Sequence, residues 1–422
     1  MKFVRELFLL TGACVLVAGC ANTTFREVDV APPRTLEYTL DEANLLDVGV
    51  TVFDSNIPQA YDDIVTENIT PEVRRAEANY IANYAKDFLQ STGNWGAVRV
   101  LPEASQAVDV LVEGGILHSD GERQVLAVRV VDSRGEVWVE TWYETLASKY
   151  NYDEDQQNRS DPFRKTYRLI ANDMLDYMES LSNEEIQDIR NTTLMRHARE
   201  LNPDAFENYV SVDTSGKYEL IRLPSADDPN MRRVLQVLER YLLFVDFLDE
   251  YYSNFAANME RPYNSWRKAT YSDALALREN RNKSRTRLIA GAMMVLGGAI
   301  MQRSSHTPTE YGGYSSVMGG ATEILGGIQN LENVRMHASA LHEFGVVAAR
   351  EISPHTIELE NSTISLQGTA QEQLGQLKTF LRKLYFEDLD LPVEDDDQAQ
   401  ESDTHNQASG EKVTEEFFQD DA

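Results

Sequence analysis

The sequence predicts an α+β protein: an N-terminal α/β domain with a mixed sheet and flanking helices, then a mostly helical region with a glycine-rich helical hairpin, then a small terminal αβ module. Three observations carry that expectation. Apolar and polar residues alternate from Asp109 to Leu146, interrupted by the turn compositions Ser119-Asp120-Gly121 and Asp132-Ser133-Arg134-Gly135, which is strand periodicity with hairpin punctuation. From Met231 to Met259, Val234, Leu235, Leu238, Tyr241, Leu242, Val245, Leu248 and Tyr252 recur at spacings of three and four, which gives a helix one apolar face wide enough to bury. Two uncharged, glycine-rich runs, Leu288 to Met301 and Val317 to Ile328, echo each other across a polar connection.

Residues 1–19 have the three parts of an export signal. Lys2 and Arg5 give a positive start, Phe8 to Val17 an apolar core, and Val17-Ala18-Gly19 small residues before Cys20. The apolar run is shorter than the ~20 residues a membrane-spanning helix needs. Small-small-Cys at the end of such a core resembles the bacterial lipobox. That resemblance implies cleavage between Gly19 and Cys20, a diacylglyceryl group on the Cys20 thiol, and a mature chain held at a bilayer by several acyl chains. Ala21 stands where lipoproteins retained in the inner membrane usually carry Asp, so the resemblance implies an outer-membrane address, lipid-anchored on the periplasmic side. Cys14 leaves with the signal, so the mature chain has one lipidated thiol and no internal disulfide. Residues 20–40, polar and containing Pro32-Pro33, read as a linker.

Residues 41–182 form the first domain. Val48 to Phe53 is a compact β-branched strand. Thr70-Pro71 starts a helix that runs from Glu72 to Gln90 with Ala76, Tyr80, Ala82, Tyr84, Phe88 and Leu89 on its apolar side. Gly93-Asn94 turns into a strand from Trp95 to Pro102. Three antiparallel strands follow, Asp109 to His118, Arg123 to Val131 and Glu136 to Leu146, and a helix from about Pro162 to Leu181 closes the unit. This order, with "VGVTVFD", "GNWGAVRVLP" and "DVLVEGGI" as its residues, resembles the α/β domain shared by the TolB N-terminal domain, the curli-secretion lipoproteins and the penicillin-binding-protein activator lipoproteins. The resemblance implies a domain that binds other proteins or its own copies and performs no catalysis.

Residues 183–287 read as helical, and the stripe Tyr241, Phe244, Phe247, Tyr251 and Phe255 as core packing rather than a sugar platform. Residues 288–332 form the glycine-rich hairpin. Glycine in a helix costs close to ~1 kcal/mol relative to alanine, so Gly291, Gly297, Gly298, Gly319, Gly320, Gly326 and Gly327 call for a compensating close approach of two backbones. Two readings stay open: a tightly packed helical pair buried in protein, or a hairpin that enters or lies along the bilayer. Arg278, Arg281, Lys283, Arg285 and Arg287 suit anionic headgroups; Glu323 opposes deep insertion. Residues 333–391 continue as a helix from Leu331 to Glu351, a two-stranded hairpin over His355 to Gly368 and a helix over Thr369 to Tyr385. Residues 392–422 are an acidic tail too poor in apolar residues to fold alone, with Phe417-Phe418 inside it.

Charge narrows the function. The 422 residues carry a formal net charge of −30, which argues against nucleic acid as a partner. No nucleophile elbow, phosphate loop or metal-helix spacing is found; His337 and His342 stand five apart, off a common helix face. The expectation is a protein that is not an enzyme and needs no cofactor or metal. It is expected to act as a structural or adaptor component of a cell-envelope secretion or surface assembly, joined to the membrane by lipid, to other envelope proteins and to its own copies. The alternative is a periplasm-facing lipoprotein that activates a cell-wall synthesis enzyme.

Overall fold

The computed structural model describes residues 31–36, 41–60, 64, 69–153, 161–225, 227–301, 341–347, 352–359 and 362–389, with the backbone alone over 280–301. Gly19, Cys20, the second glycine-rich run and the acidic tail lie outside the described residues.

Strand β1 (Val48–Thr51), helix α1 (Pro71–Thr92) and strand β2 (Val98–Leu101) form a βαβ unit, with β1 parallel to β2 in the register Val48 to Val98. On its other side β1 runs parallel to β3 (Val110–Ser119), which begins an antiparallel meander with β4 (Arg123–Asp132) and β5 (Val137–Leu146). The five-stranded order is β2-β1-β3-β4-β5, the mixed sheet the sequence predicts. All four residues of β1 are buried, as expected of a central strand covered on both faces.

Carboxylates build the meander's turns. Asp120 Oδ1 accepts from the backbone N–H of Glu122 and of Arg123, both at 2.7 Å. Asp132 Oδ1 accepts from Arg134 N at 2.9 Å and Glu136 N at 3.1 Å, and Gly135 takes the positive φ of 84° that closes the turn. Helix α2 (Arg164–Glu179) then packs on β5: Tyr143 donates its hydroxyl to Asp173 at 2.6 Å, and Trp138 stacks on Tyr177 with ring centroids 4.8 Å apart.

Three expectations need correction. Helix α1 does not have one apolar side; Arg74, Glu77, Asn79, Asn83 and Lys86 are buried along with the predicted Ala76, Tyr80, Ala82, Phe88 and Leu89. The reason is a second layer, because α1 is packed between the sheet and a later helix. The region 183–287 is not wholly helical either. After α3 (Asn183–Leu201), capped by a reciprocal Ser182–Glu185 box, and the single turn α4 (Pro203–Phe206), a hairpin of β6 (Val210–Val212) and β7 (Tyr218–Leu220) interrupts it. Asp213 Oδ1 accepts from the N–H groups of Ser215 and Lys217, and Gly216 adopts φ 82°.

The third correction concerns the first glycine-rich run. Helix α5 runs unbroken from Pro229 to Met301, 73 residues or roughly 110 Å at 1.5 Å per residue. The run Leu288 to Met301, with Gly291, Gly297 and Gly298, continues that helix, so the boundary expected between residues 287 and 288 is not a break in the backbone. Pro262 stands inside it, without an N–H for the carbonyl four residues back, so tertiary contacts hold the helix through that point.

At the C-terminal side, residues 341–347 are helical, β8 (His355–Leu359) pairs with β9 (Ser362–Leu366), and α6 (Ala370–Glu387) starts at a Thr369–Glu372 capping box. Residues 341–347 pack on α1 and α5 through Leu341 and Phe344, and the other elements join the core of the sheet. One buried cluster takes in Val50 and Val128 of the sheet, Ile189 of α3, Val237 and Phe244 of α5, and Leu366 and Leu377 of β9 and α6. The aromatic stripe of α5 belongs to packing, as expected: Tyr241, Phe244 and Phe255 are buried and Phe247 and Tyr251 partly so. Each such ring contributes about 1.5–3 kcal/mol by leaving water.

One core group ties this packing to pH. His197 on α3 is 5 % exposed, its Nε2 has no partner, and burial, then the nearby Lys378 charge, push it down to about 4. The unfolded side chain titrates near ~6.5, so between these values the unfolded chain binds the proton and the folded chain does not. The stability contributed by neutral His197 is whole above about 6.5 and is lost as pH falls through about 4. Urea unfolding as a function of pH should show His197→Leu shedding up to about 3 kcal/mol of acid sensitivity across that window. Identical slopes for variant and parent would refute it.

Candidate functional site at the clamp on the long helix

The sequence places Glu77 in mid-α1, Arg267 in mid-α5, Ser119 at the end of β3 and Asp161 ahead of α2, and the fold brings all four together. Glu77 Oε1 accepts from Ser119 Oγ at 2.9 Å and from the Tyr263 hydroxyl at 2.7 Å, while Arg74 Nε lies 3.3 Å from Glu77 Oε2. Arg74 also donates to the Ile116 carbonyl at 3.2 Å. One turn along α5, Arg267 Nη2 donates to Asp161 Oδ2 at 2.7 Å, with both side chains nearly inaccessible at 1 % and 2 %. Its guanidinium lies over the Tyr263 ring, 4.1 Å from the centroid, with Tyr80 and Phe163 completing the cage.

Electrostatics follow from burial. Loss of water raises the Glu77 carboxyl above its ordinary range, and Arg74, Tyr263 and Ser119 offset only part of that. For Arg267 burial works against the charge, but Asp161 and then the Tyr263, Tyr80 and Tyr152 hydroxyls outweigh it, and the guanidinium is held protonated. A buried ion pair of this kind contributes little over an apolar pair of the same shape, yet removing one member leaves a charge stranded. The cluster therefore specifies one docked position for α5 more than it adds stability.

The backbone is as close as the side chains. A Cβ on Gly121, in the β3–β4 turn, would collide with the Arg267 carbonyl and the Tyr271 amide of α5. Tyr152 donates its hydroxyl to the Gly121 carbonyl at 2.6 Å, and Arg278 Nε lies 3.1 Å from the buried Glu122. Gly345 has the same role on the other side, where a Cβ would run into the backbone of Glu72 at the start of α1. The turn and α1 thus grip about four turns of α5, from Tyr263 to Arg278.

The two edges of the sheet differ. At β2, Asp249 of α5 accepts the Val100 N–H at 2.8 Å and Asp246 pairs with Arg99 at 2.5 Å, so the long helix covers that edge. At the opposite edge, among the described residues, β5 pairs with β4 alone, and it carries Trp142, 53 % exposed, between Glu140 and Glu144. Arg129 lies 3.3 Å from Glu113 and 3.5 Å from Glu140, a cross-strand charge ladder on the same face.

Among the predicted site residues, Gly291, Gly297 and Gly298 all lie on α5, and Gly19, Cys20, Gly319, Gly320, Gly326 and Gly327 fall outside the described residues. The clamp residues Glu77, Arg267, Asp161 and Tyr263 were not anticipated. The signal that could have exposed them is two acid–base residues, Arg74 and Glu77, inside an otherwise alanine-rich helix. Among the described residues no group of three or more His, Cys, Asp or Glu is placed to hold a metal, and no helix is long and apolar enough to cross a membrane. Comparison with protein-family models, curated proteins and solved structures found no match in any of the three.

Proposed function

We propose that this chain is an outer-membrane lipoprotein, lipid-anchored at Cys20 on the periplasmic side, that serves as a non-enzymatic structural or adaptor component of a cell-envelope secretion or surface assembly and associates with its own copies. The observation that carries the reading is the clamp. A helix of 73 residues is fixed against the sheet by the buried Glu77–Tyr263 and Arg267–Asp161 contacts, which makes sheet and helix one rigid spacer. Residues 280–301 continue that helix by roughly 33 Å and carry Gly291, Gly297 and Gly298, small residues of the kind that favour close helix pairing. The open β5 edge offers a second contact, since a partner strand can add to an unpaired edge. The lipobox resemblance supplies the address.

Two measurements test this. Mass photometry of the detergent-extracted chain should give defined oligomers, and Gly297→Leu should dissociate them at least about tenfold more readily. Monomers at every concentration, co-purifying with a cell-wall synthase, would replace the assembly role by activation of that enzyme. Cys20→Ser should leave the membrane fraction for the soluble one, and full retention in the membrane would remove the lipid-anchor address.

A further inference from the structure

The chain enters the fold along α2. Residues 31–36 have no regular secondary structure, yet side chains of the body fix them. Arg164, in the first turn of α2, donates to the Ala31 carbonyl. Arg34 reaches the other end of that helix: its guanidinium pairs with Asp176 and, at 2.7 Å, with Glu179, while its N–H donates to Asn172 Oδ1 at 3.1 Å. Asn94, 2 % exposed, then brackets the backbone, donating to the Arg34 carbonyl at 3.1 Å and accepting from the Leu36 N–H at 3.0 Å. Leu36 packs on the core. Pro32 and Pro33 stiffen the segment and bring no N–H that needs a partner. A buried amide that serves both backbone groups makes this a seated strap.

The strap gives a lipid anchor a place and a reach. It runs from the first turn of α2 toward the last, so the chain arrives at the N-terminal end of that helix. Eleven residues lead from Cys20 to Ala31, a reach of about 18 Å on average and about 40 Å at full extension. With the strap loose, the next fixed backbone group among the described residues would be the Glu42 carbonyl, which accepts from Arg190 at 3.0 Å, and the average reach would grow to about 26 Å. Charge favours the same end. The first turn of α2 holds Arg164 and the exposed Lys165 and no acid, although the helix dipole disfavours cations there. In a chain of net charge −30 such an end suits anionic headgroups that the rest of the chain repels. We propose that the strap sets the N-terminal end of α2 against the phospholipid surface in which Cys20 is held, with Lys165 on the headgroups. This orientation rests on the lipid-anchor reading and specifies which side of the fold faces the bilayer.

Energy transfer on the full, lipid-anchored chain tests it. The mature chain has no thiol besides Cys20, so a dye goes on Pro162→Cys before α2 or on Ser180→Cys after it, in vesicles of phosphatidylcholine and phosphatidylglycerol with an acceptor in the headgroups. Helix α2 spans about 24 Å, and transfer from position 162 should be at least about twofold higher than from position 180. Arg34→Gln and Lys165→Glu, both at exposed side chains outside the core, should each remove at least about half of that difference. Equal transfer from the two positions in the parent chain overturns the proposal, as does a difference that either variant leaves unchanged; the anchor itself stands in both cases. An unmodified Cys20 by mass spectrometry removes the anchor reading, and the orientation with it.

Discussion

Arg267→Met is expected to destabilise the folded chain by about 3–5 kcal/mol, the largest effect of any single side chain named above. The methionine fills most of the space and makes good contacts with Tyr263, Tyr80 and Phe163, so packing loss is a minor part. The cost comes from Asp161, whose carboxylate is 2 % exposed and would lose the donor at 2.7 Å. The Phe163 N–H at 2.8 Å and the Tyr80 hydroxyl at 3.5 Å remain as donors, but neither carries a charge to balance the buried carboxylate. The double variant Arg267→Met, Asp161→Asn removes both charges and should recover at least half of the loss, because an apolar or neutral pair can match a buried ion pair. Urea unfolding of the two variants measures the difference. A single-variant loss under about 1 kcal/mol would mean that solvent reaches Asp161, and the clamp as described would be wrong.

That pair also marks where sequence reasoning reaches its limit. The meander and its turns were legible because their causes are local: alternation sets the strand faces, and Asp120 and Asp132 bind amides two to four residues onward. The capping Ser and Thr of α3 and α6 are local in the same sense. Arg267 and Asp161 are 106 positions apart, and periodicity alone assigns any arginine to the solvent face. Burial of α1 on both sides was hidden for a related reason, since a helix pattern records one apolar face and not a second layer arriving from α5. The unbroken course of α5 was hidden by its own charge. The cations from Arg278 to Arg287 look like a boundary, but helix propensity is high for arginine and lysine, so nothing in the backbone stops there. The β6–β7 hairpin, three residues a side, is too short for alternation to reveal, although Asp213 and Gly216 carried a turn signal.

Gly121→Val should separate the β3–β4 turn from α5 at a cost of about 3 kcal/mol, the upper part of the range for forcing atoms into a filled site. The added Cβ meets the Arg267 carbonyl, the Tyr271 amide and Thr270 Oγ1. Two of these are backbone of a regular helix, which no rotamer change can move aside. Relief requires α5 to shift outward, and that shift pulls Arg278 from Glu122 and Arg267 from Asp161 together. Gly216→Ala is the matched control. Gly216 has a positive φ of 82° and nothing within 4 Å of a Cβ, so alanine there meets backbone strain alone, about 1 kcal/mol. If crowding at the clamp is the cause, Gly121→Val will also speed protease cleavage of α5 between Tyr263 and Arg278, while Gly216→Ala leaves that segment resistant. Equal losses in stability, with α5 equally resistant in both, would show that the turn does not hold the helix, and the rigid spacer on which the proposed assembly role depends would go with it.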